Sequence, residues 1–194
     1  MARPARLRGA ARPRVLLVAP HSSYRIPAYV RAARALGGEL LIASKSRYSL
    51  VGELAAGMYV DLGDPDAACE ALTAEARRRP IEAVVGSDDV TVEIASRVAE
   101  RLGLAHNPPA AARLARRKDL ARARLAEAGL PVPEHRRLDL ERDPRPQLAG
   151  LRYPVVLKPL ALAASRGVIR ANDSEELAAA CGRIRAILAA EPLL

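Results

Sequence analysis

Short apolar runs alternate with helical patterns over the first half of the chain, and this alternation constrains the fold more than any other feature. The run at 14–19 is continuously apolar after its first residue and is closed by Pro20, which is typical of a strand buried on both faces. Further apolar runs lie at 40–43, 57–62 and 81–86, and helical patterns lie at 27–36, at 65–79 and from a Ser87-Asp88 cap to residue 102. Such alternation requires right-handed crossovers and predicts an α/β fold with a parallel, Rossmann-like sheet covered by helices on both sides. The chain has five Tyr but no Phe or Trp, so we expect an aliphatic core.

The loops after the first and fourth predicted strands, residues 20–26 and 86–90, are candidate ligand-binding segments, because parallel sheets bind ligands at the carboxyl ends of their strands. The candidate substrate-contacting residues in these loops are Ser22, Ser23, Ser87 and Asp88. Serine and aspartate are also favoured at helix N-termini for capping alone, so both interpretations of the second loop stay open. Neither G-x-G-x-x-G after the first run nor G-x-x-x-x-G-K-[ST] anywhere is present, which excludes the dinucleotide fingerprint and the P-loop.

The alternation of apolar runs and helical patterns stops near residue 106, which predicts a domain boundary there. We expect a Rossmann-like domain over 14–106 and a second domain over 107–194. The second domain opens with His-Asn-Pro-Pro, a linker in which Asn107 can cap a helix. A further helical pattern runs from about 116 to 128 and stops at Gly129-Leu-Pro-Val-Pro, a helix end followed by extended chain.

A predicted hairpin follows in the second domain. Residues 153–159, Tyr-Pro-Val-Val-Leu-Lys-Pro, are typical of a strand whose last charged residue is Lys158. A loop of mostly small residues at 160–167 leads into a second strand at 168–171. Asp173, with Glu176 three residues later, then predicts a capped helix.

These features in this order resemble the ATP-grasp superfamily of ligases, which includes biotin carboxylase, carbamoyl-phosphate synthetase and D-alanine–D-alanine ligase. The segments that carry the resemblance are the front domain, Arg-Lys-Asp-Leu leading to Ala-Gly-Leu-Pro-Val-Pro, and Tyr-Pro-Val-Val-Leu-Lys-Pro with its loop ending Ser-Arg-Gly-Val. The resemblance covers about residues 14–194 and implies a pre-ATP-grasp domain followed by a partial α+β lid domain.

The resemblance implies that two lysines contact the phosphates of ATP while the loop between the lid strands folds over them. Lys118 matches the first lysine and Lys158 the second, and Ser165, Arg166 and Gly167 are the phosphate-facing residues of the loop. The implied reaction is ATP-dependent ligation with Mg²⁺, in which a carboxylate is phosphorylated and then captured by an amine or another nucleophile. A lysine at a strand end suits this task, because its compact ammonium can follow a moving phosphoryl group.

Two departures from the family pattern affect these expectations. Ala161, Ala163 and Ala164 stand where the family usually has glycines, so the loop is expected to be stiffer. The remaining lid strands, the adenine hinge and the acidic metal ligands of the family come after the last residue of this chain. We therefore expect a catalytically incomplete portion of the enzyme, which a second polypeptide could complete. The alternative is a non-catalytic module that binds a nucleotide or metabolite. Whether the chain is an enzyme is therefore left open.

The net charge of +9 raises a rival hypothesis, a basic protein that binds RNA or acidic partners. Residues 1–14 hold five arginines and no acid, so the rest of the chain carries 9 − 5 = +4, and few aromatic residues are available to stack on bases. We expect residues 1–13 to be a basic disordered tail and disfavour nucleic-acid binding. Two distant cysteines and the lack of an apolar run near ~20 residues predict a reduced, cytoplasmic protein that makes no membrane contact.

Overall fold

The computed structural model describes residues 12–45, 55–160 and 162–190. The chain forms two compact units, 1–113 and 114–194, and each is described by itself. Most of the predicted basic tail, residues 1–11, lies outside the described residues, as does Ala161 of the predicted lid loop. Among the described helices, none is both long and apolar enough to cross a membrane.

The first unit contains a four-stranded parallel sheet in the order β3-β2-β1-β4. Its elements are β1 (Arg14–Val18), α1 (Ile26–Ala35), β2 (Glu39–Ser44), β3 (Ala56–Tyr59), α2 (Pro65–Arg78), β4 (Ala83–Gly86) and α3 (Val92–Arg101). A further helix, α4 (Pro109–Arg116), includes the division between the units in sequence. The parallel α/β sheet predicted from the alternating pattern is confirmed.

Alternate residues of the central strand β1 face opposite layers of the core, as the pleat of a strand requires. Leu16 packs on one side with Leu72 of α2 and Val98 of α3. Leu17 packs on the other side with Ile26 at the start of α1. Both leucines are fully buried, and the described core is built from aliphatic residues and cysteine, as the lack of Phe and Trp predicts.

The predicted Ser87-Asp88 helix cap is wrong, because α3 begins only at Val92. The fully buried Thr91 closes a turn instead: its hydroxyl donates to the Asp88 carbonyl at 2.8 Å and accepts from the Asp88 N–H at 3.1 Å. Gly86 explains why the turn lies so close to the strand. A β-carbon at that position would lie 2.8 Å from Cα of Val92.

A buried arginine ties the first unit together at the end of the sheet where β1 begins. The Arg14 guanidinium, 6% exposed, donates to the Arg79 carbonyl at 2.7 Å and to the Glu75 carboxylate at 2.8 Å. These bonds join the start of β1 to the end of α2 and hold the pKa of Glu75 below its ordinary value. Pro13, which the sequence pattern assigns to the tail, already accepts a hydrogen bond from the Glu39 N–H at 2.8 Å.

The second unit contains the predicted hairpin, β5 (Val155–Leu157) and β6 (Ile169–Ala171), which pair antiparallel. Its helices are α5 (Lys118–Glu127), α6 (Pro144–Gln147) and α7 (Ser174–Ala189). The helix predicted from residue 116 begins only at Lys118, because the backbone of Arg117 is extended.

The cap of α7 is confirmed in detail. The Asp173 carboxylate accepts from the Glu176 N–H at 2.8 Å, and the Glu176 carboxylate reaches back to the Asn172 N–H at 2.8 Å. The buried face of α7 is formed by Leu177, Ala180, Cys181 and Ile184.

Candidate functional site

A pocket of ~830 Å³ lies within the second unit, and both sequence-predicted lysines line it. Its walls come from the start of α5, from residues 133–140 and from β5 with the residues just after it. Apolar side chains, Leu157 and Ile184 among them, form part of the lining. The structure therefore brings Lys118 and Lys158 together, whereas Ser165, Arg166 and Gly167 do not line this pocket.

Lys158 directly follows β5 and is half-buried at the pocket wall. Within the described part of the chain, no carboxylate or carbonyl oxygen is paired with its ammonium group. A cation fixed by a strand and facing a pocket without a protein partner is suited to receiving an anion from solution.

Lys118 is the first residue of α5, and its ammonium group lies on the loop that follows β5. Its Nζ donates to the carbonyl oxygens of Leu160 at 3.2 Å and Leu162 at 2.7 Å. Its backbone N–H also approaches the Leu160 oxygen, at 3.3 Å. The start of the helix and the start of the loop are thus joined by one side chain, a contact that sequence reasoning missed because it spans more than forty residues.

The carboxylate beside Lys118 is neutralised by an arginine. The Arg117 guanidinium donates two hydrogen bonds to Asp119, at 3.0 and 2.7 Å, in the paired geometry that arginine and carboxylate favour. These bonds hold the pKa of the Asp119 carboxyl below its usual range. Asp119 therefore adds little repulsion toward an anion in the pocket.

The pocket carries an excess of positive charge. Its lining includes six lysines and arginines against three carboxylates, a difference of 6 − 3 = 3. The basic residues are Lys118, Arg122, Arg136, Arg137, Arg152 and Lys158, and the acidic ones are Asp119, Glu134 and Asp139. A cleft with one dominant sign of charge and partly apolar walls attracts and retains anions.

Sequence reasoning counted Arg122 among the basic residues around Lys118 but did not assign it to the site, and it missed the arginines of the segment 133–140. A signal for Arg122 was available, because it follows Lys118 by four residues and such residues share one face of a helix. No comparable signal existed for Arg136 and Arg137, since the irregular segment that carries them shows no periodicity.

Left-handed backbone conformations shape the loop between the hairpin strands. Ala164 and Ser165 have φ of 54° and 58°, and the Arg166 N–H donates to the Ala163 carbonyl at 3.2 Å, as in a type I′ turn. An alanine held at positive φ costs about 1–2 kcal/mol, so the alanine noted in the sequence adds strain here. Ser165 and Arg166 are exposed at the surface of the loop.

Gly167 ends this loop, with φ of 69°, against the ring of Pro159. A β-carbon on Gly167 would lie 2.9 Å from Cγ of the proline. Glycine is therefore required both by the backbone conformation and by the available space.

In the first unit, the structure brings together three of the four predicted substrate-contacting residues. The Ser23 hydroxyl donates to the Asp88 carboxylate at 2.8 Å, and the Ser87 hydroxyl donates to the same oxygen. Arg25 completes the cluster, with its guanidinium 2.6 Å from the Ser87 carbonyl and 3.7 Å from the carboxylate. Ser22 is exposed and, among the described residues, makes no hydrogen bond to this cluster.

This cluster lies at the carboxyl ends of β1 and β4, where the strand order of the sheet reverses direction. Open α/β sheets bind ligands at such a switch point. The two serines and the arginine already use much of the hydrogen-bond acceptor capacity of Asp88. The main effect of the cluster is therefore to hold the loops 20–26 and 86–90 together.

The described residues offer no group of three or more His, Cys, Asp or Glu side chains placed to hold a metal ion. Mg²⁺ is usually held by one or two carboxylates together with substrate phosphates, so this finding concerns only a site built entirely from protein side chains, and we derive no chemical step through the ion.

Comparisons with known proteins agree with this architecture. Residues 30–106 match the family model of the ATP-grasp N-terminal domain. No curated protein matches the sequence. Among solved structures, an L-amino acid ligase from Bacillus licheniformis superposes with a TM-score of 0.71 at 24% identity, over 91% of this chain and 43% of that one.

Two solved N5-carboxyaminoimidazole ribonucleotide synthetases are also similar. One, crystallised as an ADP complex, superposes with a TM-score of 0.67 at 15% identity, over 91% of this chain and 46% of that one. The other, from Thermus thermophilus, superposes with a TM-score of 0.59 at 20% identity, over 88% of this chain and 43% of that one. The chain thus spans less than half the length of each of these structures, and its fold is that of their N-terminal portion.

Proposed function

We propose that this chain, an N-terminal portion of an ATP-grasp ligase with its N-terminal domain over residues 30–106, binds the phosphates of ATP in the pocket of its second unit. The resemblance drawn from the sequence is confirmed by the family match and the similar solved structures. Two of the similar solved structures are ADP complexes, which supports nucleotide binding as the role of the fold.

The observation that carries the proposal is the convergence of Lys118 and Lys158 on one pocket with an excess of positive charge. The chain has only three lysines among its 31 basic residues, and the third, Lys45, forms an ion pair with Asp61 in the first unit. A chain that uses arginine almost everywhere else thus has two of its three lysines at this pocket. Lysine differs from arginine in offering a compact point charge, which suits a phosphoryl group that moves during reaction.

Each lysine has its own proposed role. Lys158 is the central phosphate contact, because it faces the pocket from the end of a strand. Lys118 adds its charge to the same wall while it holds the loop after β5 by the Leu160 and Leu162 carbonyls. Ser165, Arg166 and Gly167 lie in the turns of that loop and are proposed to reach the phosphates when the loop closes over them.

The proposed reaction is that of a ligase acting on small molecules. A carboxylate oxygen of the substrate bonds to the γ-phosphorus while the bond to the bridging oxygen of ADP breaks. An amine or another nucleophile then attacks the acyl carbon, loses its proton, and inorganic phosphate leaves. We propose that a second polypeptide completes the ATP-grasp domain and that the reaction takes place in the cytoplasm, where ATP is available.

A substrate-contacting site is proposed separately at the switch point of the first unit, at Ser22, Ser23, Ser87 and Asp88. There the exposed Ser22 offers a hydroxyl to a ligand, while the Ser23–Ser87–Asp88 cluster keeps the two loops in place.

Calorimetric titration of ATP into the 194-residue protein tests the phosphate site. A charge-assisted hydrogen bond is worth roughly 1.5–3 kcal/mol, so Lys158→Ala is expected to weaken binding on the order of 10- to 150-fold. Lys158→Arg restores binding only in part, because the planar guanidinium group does not replace the compact charge of an ammonium group. Lys45→Ala is the matched control and leaves the affinity unchanged. Equal affinities for wild type and Lys158→Ala would refute the proposed site.

A further inference from the structure

The six basic residues that line the pocket differ in whether the protein itself already engages them. Lys118 donates to two carbonyl groups, and Arg136 donates to the carbonyls of Gln147 and Ala149, both at 2.9 Å. Arg137 lies 3.8 Å from Asp119, and Arg152 lies 3.4 Å from Glu134. Over the ranges that the structure describes, Lys158 and Arg122 pair with no protein group.

Arg122 lies one helical turn after Lys118, on the face of α5 that borders the pocket. Its side chain is half-buried. Arg124 of the same helix is exposed, does not line the pocket and pairs with Glu127 at 3.1 Å. Two arginines of one helix thus differ in the two properties that matter for an anion site, access to the pocket and commitment to a protein acceptor.

A half-buried guanidinium without a protein acceptor keeps its hydrogen-bonding capacity for something else in the pocket. We infer that Arg122 is a second anion-contacting residue of this pocket and binds a phosphoryl group of the same ligand that Lys158 contacts. This inference rests on the proposed function and adds a residue that neither the lysine pattern nor the family match assigns. Lys118, whose ammonium already lies on the loop carbonyls, acts mainly by positioning the loop.

The placement of Lys158 and Arg122 also favours one class of ligand. Lys158 follows a strand of the hairpin and Arg122 belongs to α5, so the two charges belong to different walls of one pocket. A ligand with two or more phosphoryl groups can contact both charges at once, with one group at each wall. The planar guanidinium can bind two oxygens of one phosphoryl group, while the ammonium acts as a point charge on another.

Inorganic tripolyphosphate is the probe that isolates these contacts, because it lacks a base and a sugar. Calorimetry at fixed salt compares wild type with Arg122→Gln, Arg122→Lys and Arg124→Gln, and thermal melts verify that each variant is folded. Arg122→Gln is expected to weaken tripolyphosphate binding about tenfold or more, since a charge-assisted hydrogen bond is lost. Arg122→Lys recovers part of the loss, and Arg124→Gln stays within about twofold of wild type, as expected for an exposed ion pair.

The outcomes separate this inference from the proposed function. If Arg122→Gln binds like wild type while Lys158→Ala binds more weakly, Arg122 is not a contact and the phosphate site stands. If Arg122→Gln weakens the binding of orthophosphate as much as that of tripolyphosphate, Lys158 and Arg122 do not contact separate phosphoryl groups. If wild type binds no tripolyphosphate at all, both the site and the role of Arg122 are overturned.

Discussion

The ammonium nitrogen of Lys118 lies 2.7 Å from the carbonyl oxygen of Leu162. This contact places a positive charge on the backbone of the loop that follows β5, and the Leu160 carbonyl shares the same donor at 3.2 Å. The loop is thus held at its start by Lys118 and at its end by the packing of Gly167 on Pro159. Both attachments lie within the second unit and can be removed separately.

Removing the first attachment is expected to loosen the loop. In Lys118→Met, the two carbonyls lose a charged donor worth roughly 1.5–3 kcal/mol, which predicts faster opening of residues 160–168 by about tenfold or more. Hydrogen exchange of this segment, read by mass spectrometry, measures the change. Lys45→Met, which removes a lysine from the first unit, is the control and leaves the segment as in wild type. Unchanged exchange in Lys118→Met would show that the carbonyl contacts do not hold the loop.

Disturbing the packing of Gly167 on Pro159 is expected to destabilise the second unit. Gly167→Ala introduces a β-carbon at a φ of 69° and against the Pro159 ring, and the backbone term alone costs about 1–2 kcal/mol. Gly182→Ala is the matched control, because this glycine is exposed within α7 and an added β-carbon would meet nothing within 4 Å. There, alanine is expected to stabilise by roughly 0.5–1 kcal/mol. Urea unfolding followed by circular dichroism compares the two, and a shift in the same direction for both would contradict this interpretation.

The parts of the fold that depend on local pattern could be predicted from the sequence. The four parallel strands follow from continuous apolar runs, and the cap of α7 follows from Asp173 and Glu176 at the spacing that such caps require. The prediction that Lys118 and Lys158 share a site depended on the family resemblance, and the pocket brings them together. Whether they bind phosphate stays a prediction.

The features that sequence reasoning missed depend on contacts between distant residues. Thr91 replaces Ser87-Asp88 at the start of α3, because Gly86 lets Val92 pack directly on the strand, and no local signal reports that approach. The Lys118–Leu162 contact joins two predicted elements through backbone carbonyls, which every residue carries and no sequence pattern marks. The partners of Asp88 could be named as candidates, but their mutual hydrogen bonds follow only from the folded loops.

The loop cluster of the first unit is expected to contribute to stability through Asp88. Asp88→Ala removes the acceptor of the Ser23 and Ser87 hydroxyls, and Ser87 is only 4% exposed. A buried donor left without a partner costs about 1–3 kcal/mol, so a loss of this size is predicted for the free energy of unfolding. The neighbouring Asp89 is exposed, and Asp89→Ala is expected to stay within about 0.5 kcal/mol of wild type. Equal stabilities of the two variants, measured by urea unfolding, would mean that the cluster does not hold the loops.

The ion pair between Arg14 and Glu75 predicts how the stability of the first unit depends on pH. The Arg14 and Arg78 guanidinium groups hold the pKa of Glu75 below its ordinary value of 4.5 in the folded chain. A carboxyl with a lowered folded pKa stabilises the fold fully above its unfolded pKa, and this stabilisation is lost as the pH falls through the folded value. Glu75→Gln is therefore expected to lower the free energy of unfolding at pH 7 by on the order of 1 kcal/mol, because a charge-assisted bond to Arg14 becomes a neutral one.

The same variant is expected to approach wild type as the pH falls below about 4.5, where Glu75 becomes protonated in the unfolded chain and then in the folded chain. Urea unfolding at about pH 7 and near pH 3.5 measures the difference at both ends. Glu70→Gln on the same helix is the control, because Glu70 is exposed, and its effect is expected to be small at both pH values. A difference between wild type and Glu75→Gln that stays constant from neutral pH to the acid end would show that Arg14 is held by its bond to the Arg79 carbonyl and not by the charge of Glu75.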